Sequence, residues 1–324
     1  MTRRLSSIVL LTMLLAGFTM AQPGRRPVRG GPNFDEYYNP GPDSLIQRGV
    51  PHGEVKGPFI SESVAYPGTQ HKYWVYVPAQ YDPAVETSLL VTNDGAVYIR
   101  PDGYYRAPNV LDNLIYRGEI PVMIAVFIDP GEFIEDGKTD RARQYNTMDG
   151  KYASVVIDEV LPNVTSEYNI STDPERHAIA GWSSGAIAAF TVAWQRPDYF
   201  HKVLNGIGAF VDFEGGDKYA DIVRASEKKP IRIFMIDGRN DNRALEEDGT
   251  WDKSHDMFYQ NVRLKDALVD KGYDVNFSWG IAIHSHDMGG AMMPEMMRWL
   301  WRDHPVDVDP HDKKERAFRK AFEQ

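Results

Sequence analysis

A serine flanked by glycines constrains this chain more than any other feature. Gly181 and Gly185 lie two residues before and two residues after Ser183, in the pattern G-x-S-x-G. A turn tight enough to present one hydroxyl above a sheet leaves no room for side chains at those two positions. The apolar residues 178–180 suit a buried strand, and apolar residues recur at helical spacing over 187–194. The pattern therefore predicts a strand, a sharp turn and a helix, with Ser183 as a nucleophile at the helix N-terminus; an ordinary turn between a strand and a helix is the alternative.

Strand-like and helix-like segments alternate through most of the chain. The recognisable organisation runs over residues 59–304 of 324, a length that one α/β domain commonly fills. Two runs rich in β-branched and aromatic residues, 59–64 and 72–77, predict an antiparallel hairpin. Further strands are predicted over 87–92, 122–128, 203–207, 231–236 and 274–279, and helices over 108–116, 151–168, 261–271 and 294–301. The order predicts an α/β fold whose mostly parallel central sheet carries helices on both faces.

Two segments inside the domain carry weaker signals. Residues 131–146 are polar and punctuated by glycine, which predicts a loop. Pro162 interrupts the helix predicted over 151–168 and predicts a kink there, because proline cannot donate a backbone hydrogen bond.

The N-terminal residues 1–21 are typical of a secretory signal peptide. Arg3 and Arg4 precede an apolar run over 8–18, and the small-residue site that follows predicts cleavage after Ala21. The run is too short to span a bilayer and no cysteine follows it, so we expect neither a membrane anchor nor a lipid modification. The segment predicts a secreted or periplasmic protein.

The segments flanking the domain differ from it in composition. Residues 22–58 are rich in glycine, proline and asparagine without periodicity, which predicts a poorly ordered arm. Residues 305–324 form a charged tail. The formal net charge is -10 with no basic stripe, so a nucleic-acid partner is not expected. The absence of cysteine excludes disulfides, thiol catalysis and cysteine metal sites.

A serine hydroxyl is a poor nucleophile unless a base lies within hydrogen-bond reach and a third group orients that base. In a sheet of this kind the acid follows a later strand, and the histidine follows a strand later still. Asp241 follows one predicted core strand and is the candidate acid, with Asp237 as the alternative. His284 and His286 both follow the last predicted strand and compete for the role of base.

Acyl transfer also needs N–H donors for the oxyanion that forms on the substrate carbonyl. The backbone N–H of Ser184 is the first candidate donor. The second is expected after an early strand, where Ala96 is the first choice and Gly95 the second, since glycine lets a backbone approach closely. The cluster of His284, His286 and Asp287 lacks further ligands at a metal-site spacing, so we expect neither a metal nor a cofactor.

Taken together, these motifs resemble the enterochelin-esterase and feruloyl-esterase branch of the α/β-hydrolases, a broad esterase family. The resemblance covers residues 59–304 and is carried by the sequences NDG at 93–95, APNVLDNLI at 107–115, IAGWSSGA at 179–186, DGRND at 237–241, His284 with GGAMMP at 289–294, and RWLWRD at 298–303. It implies an α/β-hydrolase fold, with the family's nucleophile at Ser183, its acid at Asp241 and its base at His284. It also implies an exported serine esterase acting on small-molecule or carbohydrate-linked esters, such as acylated carbohydrate, phenolic or siderophore esters.

The chain departs from the family pattern near the base. Relatives often have glycine at the positions of Ala186, Ala282 and Ile283, and histidine at the position of Met288. These departures leave open the alternative of a catalytically weak or inactive ligand-binding protein. An acyltransferase is a further alternative. Nearby methionines could line an adaptable acyl pocket or simply fill the core: Met288, Met292, Met293, Met296 and Met297.

Overall fold

The structure is a computed structural model that describes residues 26–28, 31–246 and 248–303. The predicted signal peptide, residues 1–21, and the charged tail, residues 305–324, lie outside the described residues. Among the described residues no helix is long and apolar enough to cross a membrane.

The strands of the described residues are these: β1 (Arg26–Val28), β2 (Glu54–Glu62), β3 (Thr69–Val77), β4 (Ser88–Asn93), β5 (Met123–Ile128), β6 (Glu132–Phe133), β7 (His177–Trp182), β8 (Lys202–Gly206), β9 (Arg232–Gly238), β10 (Arg243–Leu245), β11 (Trp251–Asp252) and β12 (Asp274–Gly280). The main sheet has the order β12-β9-β8-β7-β4-β5-β3-β2, with β6 paired to β3. A small antiparallel sheet has the order β1-β10-β11.

The main sheet has the predicted mixed character. The six strands from β12 to β5 along the sheet pair in parallel. The strands β2 and β3 form the expected antiparallel hairpin, and β3 joins the parallel part by pairing antiparallel to β5. The predicted α/β fold with an N-terminal hairpin is therefore confirmed.

Helices cover both faces of this sheet. They are α1 (Gly95–Tyr98), α2 (Ala107–Tyr116), α3 (Arg141–Asn146), α4 (Lys151–Ser154), α5 (Leu161–Thr165), α6 (Ser184–Gln195), α7 (Tyr219–Ala225), α8 (Met257–Asp270) and α9 (Asp287–Leu300), with a π-helical turn over Val155–Val160. The inner strands are buried on both faces and supply alternate residues to two apolar layers. Leu89 and Val91 face one layer, with α4 to α8, whereas Leu90 faces the other, with α2 and α9.

The helix α9 differs from its predicted form. It begins at Asp287, seven residues before the predicted start, and Pro294 lies inside it. Four of the five methionines singled out in the sequence are buried in the layer beneath α9, and Met292 packs against that layer from a partly buried position. The buried four fill the core, which is the second of the two alternatives that the sequence left open.

The segment predicted as a polar loop over 131–146 also differs. It contains β6 and α3, and the side chain of Gln144 in α3 is fully buried. Its carbonyl oxygen accepts a hydrogen bond from the N–H of Gly131 at 3.0 Å and lies 2.9 Å from Nε2 of His71. The contact with His71 comes from a distant part of the chain, which is why local composition did not reveal it.

The helical run over 151–168 ends at Thr165, and its predicted irregularity has a definite form. The π-helical turn Val155–Val160 ends immediately before Leu161 and Pro162. Because proline has no N–H to donate and its ring crowds the preceding turn, a widened turn just before it relieves the conflict. The predicted kink is thus a π-helical turn.

The N-terminal segment differs from the poorly ordered arm predicted over residues 22–58. The strand β2 begins at Glu54, five residues before the predicted start of the domain. Residues 31–53 contact the domain, and Asp43 accepts hydrogen bonds from Arg117 at 2.8 Å and Arg298 at 2.5 Å. The segment is therefore anchored by ion pairs to α9 and to the residue directly after α2.

The position of Trp182, next to Ser183, depends on two glycines. The buried indole ring lies between Gly206 and Gly289, where an added Cβ would come within 2.1 Å and 2.4 Å of ring atoms. We expect Gly206→Ala to lower the free energy of unfolding by about 1–3 kcal/mol, because the ring is enclosed on its other side and cannot move away. Urea denaturation measures this change.

The matched control is Gly41→Ala. No atom lies within 4 Å of a Cβ added there, and the φ angle of -76° suits alanine. We expect a change within about 0.5 kcal/mol. Equal stability of the two variants would contradict the packing argument.

Candidate active site

Ser183 occupies a sharp turn between β7 and α6. Its φ of 56° and ψ of -125° lie in a region that residues with a side chain rarely adopt. A Cβ added to Gly181 would lie 1.9 Å from the carbonyl oxygen of Gly185, so the two glycines pack directly against each other. The steric prediction from the sequence is confirmed: only glycine at position 181 allows the chain to turn this tightly.

Two residues from later strands meet at Ser183. Asp241 follows β9 and His284 follows β12, and these two strands are parallel neighbours. The Nε2 atom of His284 lies 2.8 Å from Oγ of Ser183, and its Nδ1 atom lies 2.7 Å from Oδ1 of Asp241. The structure thus brings together the three residues that the sequence singled out, with the histidine between the hydroxyl and the carboxylate.

The hydrogen bonds determine which nitrogen of His284 carries the proton. Oδ1 of Asp241 accepts the Nδ1–H of His284 and also the N–H of Asn242, at 2.5 Å. A carboxylate only accepts, so the lone pair of His284 lies on Nε2 and faces the serine hydroxyl. In this tautomer the imidazole can take the proton of Ser183, which is the arrangement that activates a serine nucleophile.

The alternative acid, Asp237, has a different environment. It is fully buried at the end of β9 and accepts hydrogen bonds from the N–H of Gly238 at 2.7 Å and from Asn261 at 2.8 Å, not from His284. Burial, together with the nearby negative charge of Asp241, raises the pKa of Asp237 well above its ordinary value. Asp237 therefore holds a proton more strongly than an exposed aspartate does, and it does not contact His284.

The alternative base, His286, is bound by a tyrosine. Its Nδ1 atom lies 2.6 Å from the hydroxyl of Tyr105, which is fully buried. The buried hydroxyl has no other acceptor among the described residues, so it donates to Nδ1 and the imidazole proton lies on Nε2. Burial lowers the pKa of His286 to about 4. His286 is thus a neutral hydrogen-bond donor, and His284 contacts the serine.

The first choice for the second oxyanion donor was wrong. The N–H of Ala96 donates to Oδ1 of Asp129 at 2.8 Å and is not available to a substrate. Asp94, the residue before α1, is in the left-handed conformation with φ of 59°. The N–H groups of Ser184 and Gly95 have no hydrogen-bond partner among the described residues, so the second choice, Gly95, remains available.

The ion pair of Arg141 with Asp94, beside Ser183, was not predicted from the sequence. Arg141 binds Asp94 through two hydrogen bonds, of 2.7 Å and 2.8 Å, and lies 3.5 Å from the carbonyl oxygen of Trp182. A Cβ added to Gly185 would lie 2.8 Å from Oδ2 of Asp94, which places this carboxylate against the turn. Asp94 follows a predicted strand at the same edge, but Arg141 lies in the segment that the sequence predicted as a loop.

The histidine cluster does not form a metal site. His284 and His286 are engaged by Asp241 and Tyr105 respectively. In the part of the chain that the structure describes, no group of three or more histidine and acidic side chains is arranged to hold a metal ion.

The neutral state of His286 predicts a specific pH dependence of stability. The pKa of His286 falls from 6.5 to about 4 on folding. Between pH 6.5 and about 4, His286 is protonated in the unfolded chain but stays neutral in the folded protein. The stabilising contribution is therefore complete above pH 6.5 and is lost as the pH falls toward about 4.

We expect His286→Gln to make the free energy of unfolding less steeply dependent on pH in this interval. The number of protons taken up on unfolding, which sets this slope, should fall by up to about one. Urea denaturation at a series of pH values measures both slopes. Parallel curves for the two proteins would show that His286 is not held neutral.

Comparison with known proteins agrees with this geometry. The family model described as "Putative esterase" matches residues 64–300. The iron(III) enterobactin esterase of Dickeya dadantii is 26% identical over 222 residues, covering 64% of this chain and 46% of that protein. An uncharacterized protein of Bacillus subtilis, YbbA, is 19% identical over 71% of this chain and 92% of its own length. The chain spans less than half the length of the enterobactin esterase.

Solved structures of esterases share the fold. The enterobactin esterase of Shigella flexneri superposes with a TM-score of 0.62 at 20% identity, over 81% of this chain and 62% of that one. A ferulic acid esterase of the anaerobic fungus Anaeromyces mucronatus superposes with a TM-score of 0.60 at 18% identity, over 80% and 95% of the two chains. The family model covers most of the chain, and the protein therefore belongs to this esterase family and has an α/β-hydrolase fold.

Proposed function

We propose that the protein is a serine esterase that hydrolyses carboxylic esters through an acyl-enzyme. The observation that carries this proposal is the chain of two short hydrogen bonds, 2.8 Å from Ser183 to His284 and 2.7 Å from His284 to Asp241. The substituted base loop, with Ala282 and Ile283, leaves His284 within reach of the serine. This geometry favours an active hydrolase over a binding protein that has only kept the fold.

In the proposed reaction, Oγ of Ser183 bonds to the ester carbonyl carbon while its proton moves to Nε2 of His284. The N–H groups of Ser184 and Gly95 stabilise the oxyanion. Collapse of the tetrahedral intermediate breaks the bond to the alcohol, which leaves with the proton from His284. Water then adds to the acyl-enzyme by the same route, and the acid departs as Ser183 regains its proton.

Asp241 stabilises the imidazolium that forms when His284 takes the proton. Its carboxylate is buried, so the opposite charges interact in a medium of low polarity. The strained turn at Ser183 presents the hydroxyl beside the first N–H groups of α6, where the helix dipole favours negative charge.

We propose acylated carbohydrate, phenolic and siderophore esters as the substrate class. Support comes from the similar proteins, which include enterobactin esterases and a ferulic acid esterase. Tyr104 is partly exposed, and its ring lies 5.5 Å from that of His286, so it offers an aromatic surface near the proposed site. Hydrolysis of a panel of such esters, followed by chromatography of the released acids, tests this class.

Ser183→Ala should lower kcat/KM for an activated short-chain ester by roughly 10⁴ to 10⁶, because no other hydroxyl replaces the nucleophile. The matched control is Ser184→Ala, which keeps the backbone N–H and should stay within about tenfold of the wild type. The release of p-nitrophenol and the rate of labelling by a fluorophosphonate measure both. Similar losses in the two variants, or an inactive wild type, would contradict the assignment.

Asp241→Asn should lower kcat by about 10⁴, since an amide no longer holds the imidazole in the active tautomer. Asp237→Asn should have a much smaller effect, because the amide resembles the neutral acid that burial already favours at this position. The same ester assay compares the two variants. A larger loss in Asp237→Asn than in Asp241→Asn would reverse the assignment of the acid.

We further propose that the protein is exported, on the basis of the signal-like residues 1–21. When the full chain is expressed in a bacterial host, the mature protein should appear in the periplasm or medium with Gln22 at its N-terminus. A chain expressed without residues 1–21 should remain in the cytoplasm. Retention of the uncleaved full chain in the cytoplasm would contradict export.

A further inference from the structure

The loop that carries His284 has few hydrogen bonds of its own. It follows β12, and the bonds between the loop and residues 239–240 run from the N–H of Arg239 to the oxygen of Gly280 and from the N–H of Asn240 to the oxygen of Ala282. The side chain of Asn240 also donates to the oxygen of Ile281 at 2.7 Å. The loop after β9, which carries Asp241, thus holds the carbonyl groups of the histidine loop.

The N–H groups of the same loop are held by a different part of the chain. The N–H of Ile281 donates to the hydroxyl oxygen of Tyr38 at 2.8 Å, and the N–H of Ile283 donates to Oδ1 of Asp35 at 3.3 Å. Tyr38 approaches so closely that a Cβ added to Gly280 would lie 2.2 Å from its hydroxyl. The residue directly before His284 is therefore bonded to the N-terminal segment.

This N-terminal segment also contacts the loop that carries the acid. The strand β1 pairs antiparallel to β10, which begins two residues after Asp241. A Cβ added to Gly31 would lie 2.2 Å from Oδ1 of Asn240, so the chain passes directly over the residue that links the two loops. Beyond Tyr38, the ion pairs of Asp43 with Arg117, directly after α2, and with Arg298 in α9 attach the segment to the domain.

From these contacts we infer that residues 31–38, which we name the strap, position the histidine loop so that His284 stays on Ser183. Asp35 and Tyr38 are positioning residues: they accept the two N–H groups on either side of Ala282 and contact neither Ser183 nor His284 through the described hydrogen bonds. The strap holds one side of the loop and residues 239–240 hold the other. This inference rests on the proposed function for its effect on catalysis, but not for its effect on the loop.

The physical consequence is specific to the chemical step. A displacement of about 1 Å at a reacting group can cost about a hundredfold in rate, while the binding of a small ester elsewhere in the cleft is unaffected. Loss of the two acceptors should therefore lower kcat and leave KM nearly unchanged. An amide that loses its acceptor should also exchange its hydrogen faster.

The test compares full-length variants. Asp35→Ala combined with Tyr38→Phe removes both acceptor oxygens with little change in bulk at Tyr38. Two variants are controls. Asp35→Asn keeps an acceptor oxygen at position 35, and Tyr37→Phe removes the hydroxyl of an adjacent tyrosine that is 68% exposed. The measurements are kcat and KM for a short-chain p-nitrophenyl ester, the rate of fluorophosphonate labelling, and hydrogen exchange of a peptide covering residues 281–286.

We expect the double variant to lose about 10- to 100-fold in kcat and in labelling rate, with KM within about twofold of the wild type. Exchange in residues 281–286 should become faster in the double variant, whereas exchange in the core strands should not change. Asp35→Asn and Tyr37→Phe should behave like the wild type.

Two results would overturn the inference that the strap positions the histidine loop. One is unchanged exchange in residues 281–286 of the double variant, and the other is a loss of kcat in Asp35→Asn or Tyr37→Phe as large as in the double variant. An inactive wild type would instead refute the proposed function, and hydrogen exchange would still decide whether the strap holds the loop.

Discussion

The contact between Gly181 and Gly185 is the constraint on which the site depends. With 1.9 Å between a Cβ added at the first glycine and the carbonyl oxygen of the second, no other residue fits at position 181. The tight turn forces Ser183 into a strained conformation and lifts its hydroxyl above the sheet edge. The strain is tolerated because β7 and α6 are buried on all sides.

The parallel sheet brings residues from distant loops to the turn at Ser183. The strands β7, β8, β9 and β12 run in the same direction and in register, so their carboxyl ends lie at one edge. Loops that are distant in sequence leave the sheet from that edge and meet there. Ser183 and His284 are 101 positions apart in the sequence, yet Oγ and Nε2 of these residues lie within a hydrogen bond of 2.8 Å.

Hydrogen-bond partners distinguish chemically similar residues within the site. Asp237 and Asp241 are both buried, but Asp237 accepts hydrogen bonds from Gly238 and Asn261 and has a raised pKa, while Asp241 faces the imidazole of His284. His286 is held neutral by burial and by its bond to Tyr105. The two carboxyl groups and the two imidazoles therefore each have a different set of hydrogen-bond partners.

The sequence alone determined the elements with strong local patterns. The turn at Ser183, the inner strands and the order in which Asp241 and His284 follow later strands could all be read from it, because spacing and apolar runs reflect local sterics and burial. What only the tertiary structure decided were long-range contacts: the engagement of Ala96 by Asp129, the helix at Arg141–Asn146 and the strap over the histidine loop. These depend on which distant atoms meet, and a polar side chain carries no local signal of the partner that will satisfy it.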